Sequence, residues 1–136
     1  MIILSAACLF SACNVLQNKQ NTGAGLQQSR WVLHSIDDAV LNADSLGRFV
    51  PTMEFDSLGL NVQGNAACNG YRGTVEIGTD SLHFGPLMST KMACDALDLE
   101  QRFMREINTK TVKYAQVDGL LIIYGAEETL TFQPAE

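Results

Sequence analysis

The residues of this chain that could do chemistry are four cysteines, two histidines and a scatter of carboxylates. Cys8 and Cys13 lie close to the N-terminus, whereas Cys68 and Cys94 stand alone in the body of the chain. With His34 and His83, the latter two could nominally make a zinc set. No Cys-x-x-Cys or His-x-x-x-His spacing supports that reading, and no metal is expected. Glu54 with Asp56, and Glu127 with Glu128, are the pairs a glycosidase would need, but their positions suit solvated charges better. No Gly-x-Ser-x-Gly elbow, Walker loop or Gly-x-Gly-x-x-Gly run occurs. No catalytic residue and no cofactor is therefore expected, and the chain reads as something other than an enzyme.

Cys13 has a different chemistry open to it. Met1 to Cys13 carries no charge, and the apolar run from Ile2 to Phe10 suits the core of a secretory signal, which needs about 7–15 residues. It is too short to span a bilayer, which takes about 20. Leu9-Phe10-Ser11-Ala12-Cys13 resembles a bacterial lipobox, so residues 1–12 are expected to be a signal peptide and Cys13 a lipid anchor. Several acyl chains on one cysteine would hold the protein stably to a membrane. Asn14 after the cysteine, in place of aspartate, points to the outer membrane, facing the periplasm. Residues 13–28 are crowded with Gln, Asn, Gly and Thr and read as a flexible tether.

Charge narrows the partners. The 136 residues carry a formal net charge of −6, with 46% hydrophobic and 18% charged residues. That is the composition of one globular domain without a basic patch, which excludes nucleic acid as an expected partner. A partner, if any, is an envelope protein or a lipid.

From Ser29 onward, short alternating apolar runs separated by Gly, Asp and Asn predict antiparallel strands. Trp31, Leu33 and Ser35 share one face of the first, with Val32, His34 and Ile36 on the other. Asn42 to Gly47 reads as a polar loop. Met53 and Phe55, the turn Asp56-Ser57-Leu58-Gly59, and then Leu60, Val62 and Gly64 predict a hairpin. Tyr71, Gly73, Val75 and Ile77 alternate again, and Leu82 and Phe84 form a short strand. One helix follows, with Asp95 as N-cap, Ala96, Leu99, Phe103 and Ile107 on its apolar face, and Glu100, Arg102 and Glu106 on its polar face. Val112 and Tyr114 lead into Asp118-Gly119, a two-residue hairpin signal. Leu120 to Tyr124 is nearly continuous and reads as covered on both faces. Leu130 and Phe132 close the domain. The expectation is a mainly β (α+β) fold: a curved antiparallel sheet or partly open barrel of about eight strands packed with one helix.

The series Trp31-x-Leu33, Glu54-Phe55-Asp56, Gly64-Asn65, Cys68-Asn69-x-Tyr71, Thr90-Lys91-Met92-Ala93-Cys94, Glu100-x-x-Phe103, Tyr114 and Leu130-x-Phe132 resembles the META domain, the HslJ-like heat-inducible lipoprotein family, over about residues 29–136. Ala67 stands where that family usually has glycine, and Lys91 where it usually has arginine. The resemblance implies a partly open barrel with a helix, and an envelope protein linked to stress tolerance, motility or secretion. It supplies no catalytic residue.

In an exported chain, Cys68 and Cys94 are expected to form a disulfide, and closing a loop of this length would contribute about 3–4 kcal/mol. The alternatives are two buried free thiols, or a Cys94 activated at the helix N-terminus. Asn65, Asn69 and Tyr71, with Thr90 and Met92, make a polar loop beside this pair. It serves either as structure, since Asn satisfies buried carbonyls and tolerates positive φ, or as the rim of a binding crevice. The leading expectation is a non-enzymatic, lipid-anchored envelope protein that binds a partner or stabilises an assembly. The alternative is a carrier of a small apolar ligand or lipid, with a cavity inside the curved sheet lined by Met88, Met92 and Met104.

Overall fold

Strict alternation of large apolar and polar side chains gives each strand one face for a core and one for water. The computed structural model describes residues 25–136; the expected signal peptide, Cys13 and most of the tether lie outside them. The elements are β1 (Arg30–Ile36), β2 (Ala39–Val40), α1 (Ala43–Leu46), β3 (Thr52–Phe55), β4 (Asn61–Asn65), β5 (Gly70–Ile77), β6 (Ser81–Phe84), β7 (Met88–Ser89), α2 (Leu97–Ile107), β8 (Thr111–Val117), β9 (Leu120–Tyr124) and β10 (Thr129–Pro134). Eight of the strands follow one another around a ring, β1-β3-β4-β5-β6-β8-β9-β10, and every pairing is antiparallel. The two-residue strands β2 and β7 pair with β1 and β5 outside that ring. The ring is complete rather than partly open, because β1 pairs with β10 from Trp31↔Pro134 to Ile36↔Leu130. Closure satisfies the backbone groups that an open sheet leaves at its edges.

Fully buried Phe55, Phe84, Phe103, Phe132, Leu121 and Ile123 fill the interior. Turn chemistry follows the sequence at two hairpins. Asp56 accepts from the backbone N–H of Leu60 at 2.9 Å and from Nδ2 of Asn61 at 2.7 Å, and Gly59 takes φ 68°. Asp118 and Gly119 both have positive φ, 53° and 79°, the geometry that matches strand twist in a two-residue loop.

The structure departs from the expected pattern at several places. A bulge between Leu33 and Ser35 shifts the register of β1, so Ile36 turns inward beside Ser35 instead of outward. Leu60 lies before β4 and is exposed, so the inward set of that strand begins at Val62. Strand β9 is fully covered on one face, where Leu121 and Ile123 are buried; on the other, Leu120 and Ile122 are half-buried and Tyr124 is 48% exposed. The polar loop after β2 contains the single turn α1, capped by Asn42 through Ser45 N at 3.1 Å. Ala96, not Asp95, is the N-cap of α2, and no side chain caps that end. Glu100 and Glu106 are buried, not solvated.

The folded part also starts earlier than Ser29. Leu26, expected in the tether, is fully buried in the core, and Gln28 N donates to Asp56 O at 2.9 Å. Gly25 lies against Gln116 and Gln27 against Gly59 of the β3–β4 turn, so Leu26 enters at that end of the ring. Helix α2 covers the opposite end. Its Phe103 ring packs on Tyr71 at 5.6 Å and on Phe132 at 6.3 Å between centroids.

Candidate functional site

The loop between β4 and β5 carries Cys68, and the segment between β7 and α2 carries Cys94. Cys68 and Cys94 form a disulfide, with Cα atoms 5.5 Å apart. Ala67, just before it, has φ 140°, a conformation that glycine adopts without strain and alanine does not.

Asn69 is 2% exposed, and every polar atom of its amide is used. Its Nδ2 donates to Met92 O and to Glu100 Oε1, both at 2.8 Å. Its Oδ1 accepts from Thr90 Oγ1 at 2.8 Å and from Met92 N at 2.7 Å, and its own N–H donates to Glu100 Oε2 at 2.8 Å. One side chain thus stitches the β4–β5 loop, the strap after β7 and helix α2 together. Among the described residues no cation pairs with Glu100, so these N–H donors are what hold its carboxylate in the interior.

Asn65 and Tyr71 form a second cluster around Thr52. The Asn65 N–H donates to Thr52 Oγ1 at 2.9 Å, and its Nδ2 donates to Arg48 O at 2.8 Å. The Tyr71 hydroxyl donates to Thr52 O at 2.8 Å, and burial pushes its titration well above the ordinary phenol range. A Cβ on Gly64 would meet Thr52 O at 2.1 Å, so only glycine lets β3 and β4 approach this closely. The five loop residues are therefore gathered at one corner, with the polar groups of Asn65, Asn69 and Tyr71 directed into the fold.

Helix α2 grips a second turn in the same way. Glu106 Oε2 accepts from Glu127 N at 2.6 Å and Glu128 N at 2.8 Å, while Arg102 and Arg105 bind the Glu128 carboxylate from outside. Arg102 above all holds the Glu128 carboxyl below its usual range.

Open space lies on the outer wall. Two adjoining cavities of about 640 and 720 Å³ share Glu54, Gln63, Arg72 and Met88. Arg30 Nε binds Glu54 Oε2 at 3.2 Å, whereas Arg72 has no ion-pair partner among the described residues. Met88 and Met92 are 64% and 65% exposed, so they do not line an interior cavity as the carrier reading requires; Met104 packs against the core. Gln63 and Arg72 were not singled out in the sequence, although their polar positions in alternating strands are the signal for an outward face. Among the described residues no three of His, Cys, Asp and Glu gather as metal ligands, and no helix is long and apolar enough to cross a membrane.

Comparison with known proteins places this geometry. The META domain family model matches residues 24–136. A solved structure described as the NMR structure of the protein from Burkholderia xenovorans is similar, with 24% identity over 83% of this chain and 86% of that one and a TM-score of 0.66. A second NMR structure, 23% identical, covers 82% of this chain and 93% of its own, with a TM-score of 0.64. No curated protein sequence matches the chain. At these identities the two structures speak for the fold, and the family model for descent: the chain belongs to the META domain family.

Proposed function

We propose that this protein is a non-enzymatic, lipid-anchored envelope protein that binds a partner or stabilises an envelope assembly in stress tolerance, motility or secretion. META-domain membership is consistent with an envelope-associated protein. The observation that carries binding is the division of space in the domain. The interior is packed with its own side chains, and the open volume lies on the outer wall around Gln63 and Arg72. The Cys68–Cys94 disulfide supports an oxidising compartment, since such bonds persist outside the cytosol. The uncharged apolar run ending at Cys13 supports anchorage there.

Two measurements test the reading. Cys13→Ser is expected to move the protein from the membrane to the soluble fraction; retention at the membrane would remove the anchor from the proposal. A photocrosslinking amino acid at Gln63 is expected to capture an envelope component in cells, while the same probe at Glu76, elsewhere on the outer wall, does not. Equal capture at both positions, or none at either, would remove the outer groove as the binding face.

A further inference from the structure

Outward side chains of five neighbouring strands fall into one register row. Arg30 of β1 opposes Glu54 of β3, Glu54 opposes Gln63 of β4, Gln63 opposes Arg72 of β5, and Arg72 opposes Met88 of β7. Adjacent strands lie about 4.8 Å apart, so Glu54 and Arg72 stand at equal distances on either side of Gln63. Along β4 itself the open residues on this face are Asn61 and Gln63, both neutral amides, while the Asn65 amide is turned onto Arg48 O and Val50 O.

This pattern has a symmetry. A twofold axis lying along β4, in the plane of contact, sets each β4 side chain against its own image. A charge on that line would repel itself, whereas an amide can both donate to and accept from its copy. The same rotation exchanges β3 with β5, so Glu54 of one copy meets Arg72 of the other, twice. Arg30 and Met88, two strands out from β4 on a closed ring, curve away from the contact, so the row is matched at Glu54, Gln63 and Arg72. An axis running across the strands would instead bring arginines of the same row onto one another. The two cavities that share this row leave open space beside Glu54, Gln63 and Arg72 for side chains of a second copy.

We infer that the outer face of β3, β4 and β5 is an isologous docking surface for a second copy of this chain, held by reciprocal Glu54–Arg72 pairs about an amide spine. The occupant is this chain rather than another protein because the row is complementary to itself under rotation, down to the uncharged residues on the axis. This rests on the outer groove being the binding face and names its occupant as a second copy of the chain: a Gln63 crosslink to that copy supports both readings, whereas one formed only to a different protein overturns this inference and leaves the envelope role standing.

The test uses the full chain in sedimentation velocity over a wide concentration range, with Glu54→Arg and Arg72→Glu variants. Both positions are on the outer wall, and unchanged thermal unfolding checks that the variants fold. The wild type is expected to self-associate. Each variant alone places like charges together twice, and self-association should weaken by more than about tenfold. An equimolar mixture of the two variants restores both opposite-charge contacts, and should assemble as the wild type does. A wild type that stays monomeric at every concentration overturns the inference. So do variants that associate unchanged, a mixture that fails to recover, or a Gln63 crosslink formed only to a different protein.

Discussion

Asn69 has no polar atom left for a ligand, because its amide is divided between Thr90, Met92 and Glu100. Its role is therefore in the fold, and substitution has a definite direction. Asn69→Asp removes two donated hydrogen bonds and faces the buried Glu100 with a second carboxylate. It should cost about 3–5 kcal/mol in urea unfolding, against about 1 kcal/mol for Thr90→Val, which removes one neutral bond. Equal and negligible costs would return Asn69 to a role in binding. The Cys68–Cys94 pairing was legible in sequence because an exported chain with two thiols in its body leaves few other partners. What Asn69 grips was not, since Glu100 lies 31 positions away and composition gives no hint that the two meet.

At the scale of elements, the hairpins at Asp56–Gly59 and Asp118–Gly119 could be read directly, because each depends on residues adjacent in the chain. Helix α2 was recognised by its period, but its glutamates were assigned to water on charge alone. At about 100° per residue, Glu100 and Glu106 stand roughly 60° to either side of Phe103. Spacing thus sets both beside the apolar stripe, where each accepts backbone N–H donors from a neighbouring turn. The Arg102–Glu128 contact on the solvent side of this joint gives a pH dependence. Arg102 lowers the Glu128 carboxyl from its ordinary 4.5, so the folded state prefers the ionised form. Its contribution is complete above the unfolded value and drains away as pH falls through the folded one. Arg102→Ala should therefore lower stability by about 1 kcal/mol or less at neutral pH, with the difference closing below pH 4.5. Urea midpoints measured against pH give the answer; a constant gap would assign the loss to packing of the arginine stem. Asp56, lowered chiefly by the Asn61 side chain, titrates in the same direction in both proteins.

For the molecule as a whole, alternation in the strands was enough to predict a curved, mainly β domain with one packed helix. Closure was not legible, because no local signal in β1 or β10 says which edge it will meet. The start of the fold was missed for a related reason. Leu26 is a single apolar residue among Gln, Gly and Ala, with no period around it, yet it is fully buried at one end of the ring. Leu26→Ala should therefore cost about 2–5 kcal/mol in equilibrium unfolding; a value near zero would return residues up to Gln28 to the tether. The β1–β10 seam has a consequence for how the protein is made. Its two sides come from opposite extremes of the domain, so a nascent chain can pair β1 with β2 and β3 early, but the other edge of β1 has no partner until β10 has left the ribosome. Until then the polypeptide stays threadable, and the barrel is sealed by the last strand of the domain to be synthesised.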